Sequence, residues 1–162
     1  MIFNTPWFIA FFLIFYALLW LVPNDRLRFG YVLLMSAIFH GHFAGPAGVA
    51  PIIVMAVAVY FIAFRVETAE GQVRTRWLLA GLAVPVAGLT YYKYRVFLLS
   101  SFVTMFPSVE DFLQPLMKPS PMPLAISFFT FEFVHYLVEV NKGGKPIRSP
   151  WMFGLFCIYF PS

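Results

Sequence analysis

Charged side chains are scarce in this sequence. Asp, Glu, Lys and Arg make up 11% of the 162 residues, whereas soluble domains carry about 25%. This scarcity excludes an ordinary soluble domain. The single cysteine, Cys157, excludes an intrachain disulfide. The net charge of +4 is spread over connecting segments and forms no basic groove, so we expect no nucleic-acid partner.

Most of the sequence consists of apolar residues. Hydrophobic residues make up 61% of the chain and aromatic residues 20%. Apolar runs recur along the sequence and leave room for about five membrane-spanning helices and little else. We therefore predict an all-α fold, a polytopic helical membrane protein with about five spans plus interfacial or re-entrant helices. These would form a single transmembrane domain over residues 1–162.

The candidate spans follow from the lengths of the apolar runs. The first, 7–22, follows Thr5 and Pro6, which are typical of a helix start. No positively charged segment precedes it and no small-residue cleavage site follows it, so we expect a retained span and not a signal peptide. The other candidate spans are 29–43, 47–64, 77–92 and 124–140. Gly and Pro at 41–46 predict a tight turn, and Pro85 with Gly88 predicts a kink.

Two segments are not expected to cross a membrane. Residues 93–106 have the mixed character of an interfacial helix or a re-entrant segment, and a proline-rich connection follows them. The last apolar run, from Trp151 to Ser162, is too short to cross. A sequence that stops within an apolar run is what a truncated reading frame would give, so we expect a truncated fold.

The distribution of Lys and Arg predicts an orientation. If the N-terminus is outside, eight of the eleven fall in cytoplasmic loops: Arg26, Arg28, Arg65, Arg74, Arg76, Lys142, Lys145 and Arg148. The outer side keeps Lys93, Arg95 and Lys118, and the turn at 41–46 has none. The positive-inside rule therefore favours an external N-terminus, provided that residues 93–106 do not cross.

The most informative polar residues lie in the span 124–140. Glu132, His135 and Glu139 follow one another at i, i+3 and i+7, which places them on one helical face. An acidic side chain at the centre of a span costs about 2.5 to 3.5 kcal/mol, so such residues normally face the protein interior. Ser127 and Thr130 precede them, and we expect their hydroxyls to bond back to the i−4 carbonyl. Structural bridging or tunnel lining is the first interpretation for all five residues, and a supporting catalytic role is the second.

Metal binding is the least favoured interpretation. Glu132-x-x-His135 resembles the spacing of di-iron sites in helix bundles, but the other helices offer no second such pair. His40 and His42 would point to opposite sides of a helix and would not converge. We therefore predict no metal, and we interpret both histidines as polar aromatics near the interface, with their role left open. We interpret the aromatic and cationic residues at 91–95 as an aromatic belt or as a contact with an anionic lipid or polysaccharide. They are Tyr91, Tyr92, Lys93, Tyr94 and Arg95.

Four stretches of the sequence also resemble a known protein family. They are MIFNTP at 1–6, YYKY at 91–94, PLAISFFTF at 123–131 followed by YLVEV at 136–140, and YFP at 159–161. Together they resemble the N-terminal part of the membrane-bound O-acyltransferase family, particularly its bacterial alginate O-acetyltransferase and D-alanyl transferase branch. Glu132 and Glu139 depart from the Gln and Asp common in that family. His135, His40 and His42 also stand where other residue types are frequent.

The resemblance implies an enzyme that transfers an acyl group, with acetyl expected first, to a hydroxyl of a cell-envelope polysaccharide or related polymer. It implies a thioester donor and no other cofactor, and a location in the bacterial inner (cytoplasmic) membrane. The partners implied are membrane lipid, an acyl donor or carrier protein, and the polysaccharide acceptor or a periplasmic partner protein. The family's catalytic histidine lies in a later helix, so no residue of this chain is predicted to be catalytic and the chain alone is expected to be inactive.

Two other functions suit the same composition. A small non-catalytic membrane subunit that binds lipid or partner helices is the first alternative. An ion or proton carrier that uses Glu132, His135 and Glu139 as a relay is the second.

Overall fold

A computed structural model describes residues 5–118, 123 and 125–159, and every regular element in these ranges is helical. The helices are α1 (Pro6–Leu21), α2 (Asp25–Thr68), α3 (Gly71–Leu89), α4 (Arg95–Met105), α5 (Glu110–Leu113), α6 (Ile126–Asn141) and α7 (Pro150–Ile158). A π-helical segment, Thr90–Tyr94, joins α3 to α4, and 3-10 turns at Pro107–Val109 and Gln114–Met117 flank α5. The predicted all-α class is confirmed.

Polar caps mark the starts of three helices. The Thr5 hydroxyl accepts a hydrogen bond from the amide of Phe8 at 3.2 Å, and Pro6 takes the first helical position, as predicted. Asn24 accepts from the amide of Arg26 at 2.9 Å at the start of α2. Ser149 accepts from the amide of Met152 at the start of α7. These caps satisfy N–H groups that have no partner within the helix.

One glycine divides α2 into two arms, 25–44 and 46–68. Gly45 has φ 63° and ψ 173°, a conformation that glycine adopts without a Cβ clash. At about 1.5 Å per residue, each arm is about 30 Å long or slightly more. The predicted turn at 41–46 is therefore present, but the helix continues through Ala44 and only Gly45 departs from helical geometry.

Contacts with α7 show that the two arms run in opposite directions. Trp151 and Met152, at the start of α7, share a groove with residues 25–33, and Ile158 at its end lies beside His40. On the second arm the order is reversed. Tyr60 packs on Phe153, whereas Ile52 lies with Cys157 and Ile158. The chain thus turns back on itself at Gly45.

The second arm of α2 packs with α3, α6 and α7 around one apolar core. Buried residues recur every third or fourth position on α2 and α6, as a helix with one buried face requires. They are Ile52, Met55, Val59, Ala63 and Val66 on α2, and Ile126, Phe129, Phe133, Leu137 and Val140 on α6. Gly81 of α3 lies where a Cβ would be 2.8 Å from side-chain carbons of both Ile62 and Leu137. Three helices therefore meet closely at Gly81.

Helices α3 and α6 run antiparallel. Near one end, Arg74 hydrogen-bonds the carbonyl oxygens of Val140 and Asn141. Near the other end, the Lys93 ammonium donates a 2.9 Å hydrogen bond to the Ser127 hydroxyl. The chain therefore leaves the bundle after α3 and returns to α6 at the same end. The segment containing α4 and α5 is an excursion that makes no net crossing.

The apolar helices differ in how well they suit a membrane. Within the described ranges, α2 is the one helix that is long and apolar enough to cross, and α1 is a shorter apolar helix. Helix α6 begins at Ile126, and Leu124 of the predicted span lies outside the described residues. Pro85 and Gly88 lie inside α3, which is assigned as helix to Leu89, and an irregular π-helical segment follows at Thr90–Tyr94.

Candidate functional site

The three ionisable residues of α6 share a stripe, but they lie in different surroundings. Glu132 is half-buried, whereas His135 and Glu139 are exposed. Glu139 forms an ion pair with Lys142, one turn further on, with 2.9 Å between the ammonium and the carboxylate. Of the three, only Glu132 is held against neighbouring helices. The face predicted from the spacing therefore runs from the bundle interior out to the surface.

Glu132 faces the C-terminal half of α7. Its carboxylate interacts electrostatically with the Cys157 thiol, which lies in the apolar core. The Oε2 atom is buried and makes no hydrogen bond to any described group. A buried carboxylate oxygen without a donor is costly. Glu132 is therefore the residue of α6 most in need of a polar partner.

His40 lies close to the same end of α7. Its ring centroid is 5.6 Å from that of Phe129, one turn before Glu132 on α6, and its ring lies beside the backbone of Ile158. The Nδ1 atom is buried and has no hydrogen-bond partner in the described chain. Two buried polar atoms, one on α2 and one on α6, therefore flank the end of α7. The first arm of α2 thus places the His40 ring against α6 and α7.

His42 points away from His40, as the helical spacing predicts. Its ring stacks on Trp7 of α1 with 3.9 Å between centroids and 3° between planes. The two histidines do not converge on a common point. Within the described ranges, no three His, Cys, Asp or Glu side chains come together as a metal site would require.

The two hydroxyls upstream of Glu132 have different roles. Thr130 is buried and donates to the Ile126 carbonyl at 2.8 Å, the i−4 bond that was predicted. Its oxygen also lies 3.4 Å from the Pro85 carbonyl of α3. Ser127 accepts instead from Lys93, so its main contact is with the π-helical segment and not with its own helix. Thr130 contributes to helix packing, and Ser127 joins two helices at one end of the bundle.

A second polar group lies at that end. The Arg95 guanidinium is 4.4 Å from the centroid of the Tyr91 ring and donates to the Lys118 carbonyl at 2.6 Å. The Lys93 ammonium is 5.5 Å from the Tyr94 ring. π-Helical turns insert an extra residue and often occur at functional sites. Here the turn contains Tyr91, Lys93 and Tyr94, and Arg95 follows it at the start of α4.

The sequence patterns missed a set of contacts that hold α7 in place. The Tyr136 hydroxyl accepts from the Ile147 amide at 3.0 Å, and the Tyr60 hydroxyl donates to the Arg148 carbonyl at 2.7 Å. Arg148 also pairs with Glu67 at 2.9 Å. Tyr136 follows Glu132 at i+4, so its position on the same face could have been recognised. Tyr60 and Glu67 are each more than 80 residues from Arg148 in the sequence. No local sequence pattern could have predicted these contacts.

The low content of charged residues and the long apolar helix α2 support the class of helical membrane proteins for this chain. No family model matches the chain, and no solved structure matches it. Curated relatives do. The chain is 28% identical over 99% of its length to a probable alginate O-acetylase AlgI of Pseudomonas aeruginosa, covering 31% of that protein. It is 30% identical over 99% of its length to the protein of the same description from Pseudomonas syringae pv. tomato, again covering 31%.

A relative that is named for a different polymer extends the comparison. The chain is 29% identical over 94% of its length to a peptidoglycan O-acetyltransferase of Helicobacter pylori, and covers 29% of it. The chain is thus similar to proteins described as alginate O-acetylase and peptidoglycan O-acetyltransferase, and the resemblance seen in the sequence landmarks is confirmed. It spans about a third of the length of the curated relatives it matches. Of the landmarks, residues 1–4, Leu124, Phe160 and Pro161 lie outside the described residues.

Proposed function

We propose that the protein is an O-acyltransferase of the cell envelope. It transfers an acyl group, acetyl in the first instance, from a thioester donor to a hydroxyl of a polysaccharide or related polymer. The similarity to alginate and peptidoglycan O-acetyltransferases over nearly the whole chain carries the proposal. In such a transfer the hydroxyl oxygen bonds to the acyl carbon, the C–S bond breaks, and a base takes the hydroxyl proton. A carrier protein for the donor and a periplasmic partner complete the proposal.

We assign the chemistry itself to residues outside this chain. The catalytic histidine expected from the family resemblance has no counterpart at a matching position here. On α6, Ser127, Thr130 and Glu132 contact neighbouring segments and would then have supporting roles, whereas Glu139 is exposed and pairs with Lys142. Glu132 is the strongest candidate to line the substrate path, because its Oε2 is buried and accepts no hydrogen bond from a described group. His40 joins it, since both flank the end of α7.

We also propose a polytopic topology in the bacterial inner membrane with the N-terminus outside. The contacts that support it separate the cations into two groups. Arg74 bonds the end of α6 and Arg148 pairs with Glu67, so the segments predicted to be cytoplasmic meet at one end of the bundle. Lys93 and Arg95 lie at the opposite end, joined to Ser127 and Lys118. The charge count assumes that residues 93–106 do not cross the membrane. The hydrogen bonds of Arg74 and Lys93 to α6 support this assumption, because α3 ends and α6 begins at the same end of the bundle.

The acyltransferase proposal is tested on the product of the whole reading frame. Expression in a bacterium that makes the acceptor polymer should raise its ester-linked acetate, measured after mild alkaline release. Glu132→Gln should lower that acetate about tenfold, the effect of losing one hydrogen bond to a charged group. Glu139→Gln is the matched control, since this exposed residue on the same stripe pairs with Lys142 and should leave activity unchanged.

Two results would contradict the proposal. If the wild-type product adds no ester-linked acetate to any envelope polymer while it is stably present in the membrane, acyl transfer is not its activity. If Glu132→Gln and Glu139→Gln both retain full activity, the proposed role of Glu132 is wrong although the enzyme class stands.

A further inference from the structure

The position of α7 is fixed by contacts with other helices and not by the chain that leads into it. Helix α7 has nine residues, and a helix of that length is unstable on its own. Residues 144–149, which precede it, form no regular element. The register of α7 against α6, meaning which residues face each other across the pair, therefore depends on the side chains that bind its start.

Two tyrosines from different helices bind the start of α7. The Tyr60 hydroxyl of α2 donates to the Arg148 carbonyl at 2.7 Å. The Tyr136 hydroxyl of α6 accepts from the Ile147 amide at 3.0 Å. Both tyrosine rings also pack on Phe153, with centroids 5.1 and 5.2 Å from that of the phenylalanine. Each tyrosine thus contacts the backbone before α7 and a side chain within it, and two such points restrict both sliding and rotation of the helix.

An ion pair at the same place adds less. Arg148 lies 2.9 Å from a carboxylate oxygen of Glu67, but the Arg148 side chain is 73% exposed. Exposed ion pairs contribute little to stability and are weakened by salt. The two tyrosines are therefore the main determinants of where α7 begins.

The contacts of Tyr136 relate this register to Glu132. The two residues are one turn apart on α6, and Phe153 and Cys157 are likewise one turn apart on α7. Tyr136 packs on Phe153. One turn away, Glu132 interacts electrostatically with Cys157, so the two pairs are successive contacts between antiparallel helices. A register change of one residue would turn the contact face of α7 by about 100° and break both contacts.

We propose that Tyr60 and Tyr136 are positioning residues for Glu132. They set the register of α7, and α7 in that register closes one side of the Glu132 carboxylate. Both hydroxyls are bonded to the backbone before α7, so the tyrosines act through this helix and not on a substrate. The effect on acetyl transfer rests on the proposed function of Glu132, whereas the register of α7 does not.

The first test measures the register through the reactivity of Cys157. The full-length protein in native membranes is treated with N-ethylmaleimide, and labelling of the peptide that contains Cys157 is followed by mass spectrometry. The buried thiol should react slowly in the wild type. Tyr60→Phe and Tyr136→Phe keep the rings and remove only the hydroxyls, and each should speed labelling about fivefold, the effect of one neutral hydrogen bond. Tyr31→Phe is the matched control and should label as wild type, since it removes a 3.1 Å hydroxyl bond to the Phe15 carbonyl, between α1 and α2.

The second test separates positioning from general destabilisation. Ester-linked acetate should fall about fivefold in Tyr136→Phe. It should not fall further when Tyr136→Phe is added to Glu132→Gln, because the tyrosine acts through that carboxylate. A role in stability alone would lower acetate by the same factor in both backgrounds and would overturn the proposal.

Two other results are decisive. Labelling of Cys157 at the wild-type rate in both Tyr60→Phe and Tyr136→Phe would overturn the proposed control of the register. A wild-type product that transfers no acetate would contradict the proposed function alone, since the labelling rates still decide whether the tyrosines set the register.

Discussion

The Arg74 side chain, in the first turn of α3, hydrogen-bonds the Asn141 carbonyl at the last residue of α6. A second bond from the same nitrogen reaches the Val140 carbonyl at 3.2 Å. The final carbonyls of a helix have no partner within it, and a cation also interacts favourably with the negative end of the helix dipole. One arginine therefore both caps α6 and fixes its end against α3.

Replacing Arg74 should loosen the end of α6. Arg74→Met keeps an unbranched apolar stem but removes the donors, and should lower the free energy of unfolding by about 1–3 kcal/mol. Unfolding in mixed detergent measures this, and hydrogen exchange should be faster at residues 140–142. Arg76→Met is the control, because Arg76 makes no hydrogen bond or ion pair to a described residue. Equal destabilisation by both variants would contradict the capping role.

Enlarging Gly81 should force three helices apart. Its Cβ would lie too close to Ile62 and Leu137, so Gly81→Val should destabilise the fold by about 1–3 kcal/mol. The measurement is the denaturation midpoint in the same detergent. Gly30→Ala supplies the contrast, since nothing lies within 4 Å of a Cβ there. A Gly81→Val protein as stable as wild type would show that the helices are not in close contact.

Two phenylalanines of α6 allow a core position to be compared with a surface position on the same helix. Phe133 is 0% exposed and Phe131 is 74% exposed. Phe133→Ala leaves a cavity and should cost about 3–5 kcal/mol of stability. Phe131→Ala, on the outer face, should cost much less. Guanidinium or SDS titration followed by circular dichroism would compare them, and a larger loss for Phe131→Ala would show that α6 is rotated from the orientation described.

The proposed topology is tested by cysteine labelling in intact cells. In a Cys157→Ser background, Ser108→Cys and Lys145→Cys place a thiol at exposed positions near opposite ends of the bundle. A membrane-impermeant maleimide should label Ser108→Cys from outside, and Lys145→Cys only after the cells are broken. The reverse pattern would place the N-terminus in the cytoplasm. Labelling of both in intact cells would exclude a spanning arrangement between them.

Local patterns predicted several elements because their causes are local. The cap formed by Thr5 and Pro6, the helix containing Glu132 and the i−4 bond of Thr130 depend on neighbouring residues and helical periodicity. The turn near Gly45 followed from the clustered Gly and Pro. The shared stripe of Glu132, His135 and Glu139 followed from spacing, but their different burial did not, because burial depends on where α7 packs.

The sequence by itself determined the helical class, the membrane character and the relationship to envelope O-acetyltransferases. Composition, hydrophobic periodicity and short landmarks are all properties of the linear chain. Only the tertiary structure placed both His40 and Glu132 beside the end of α7, and Lys93 in contact with Ser127. These contacts join residues far apart in sequence, and each depends on the packing of several helices at once. The spacing of residues within one helix does not define distances between helices. The neighbours of Glu132 could therefore not be predicted from the sequence.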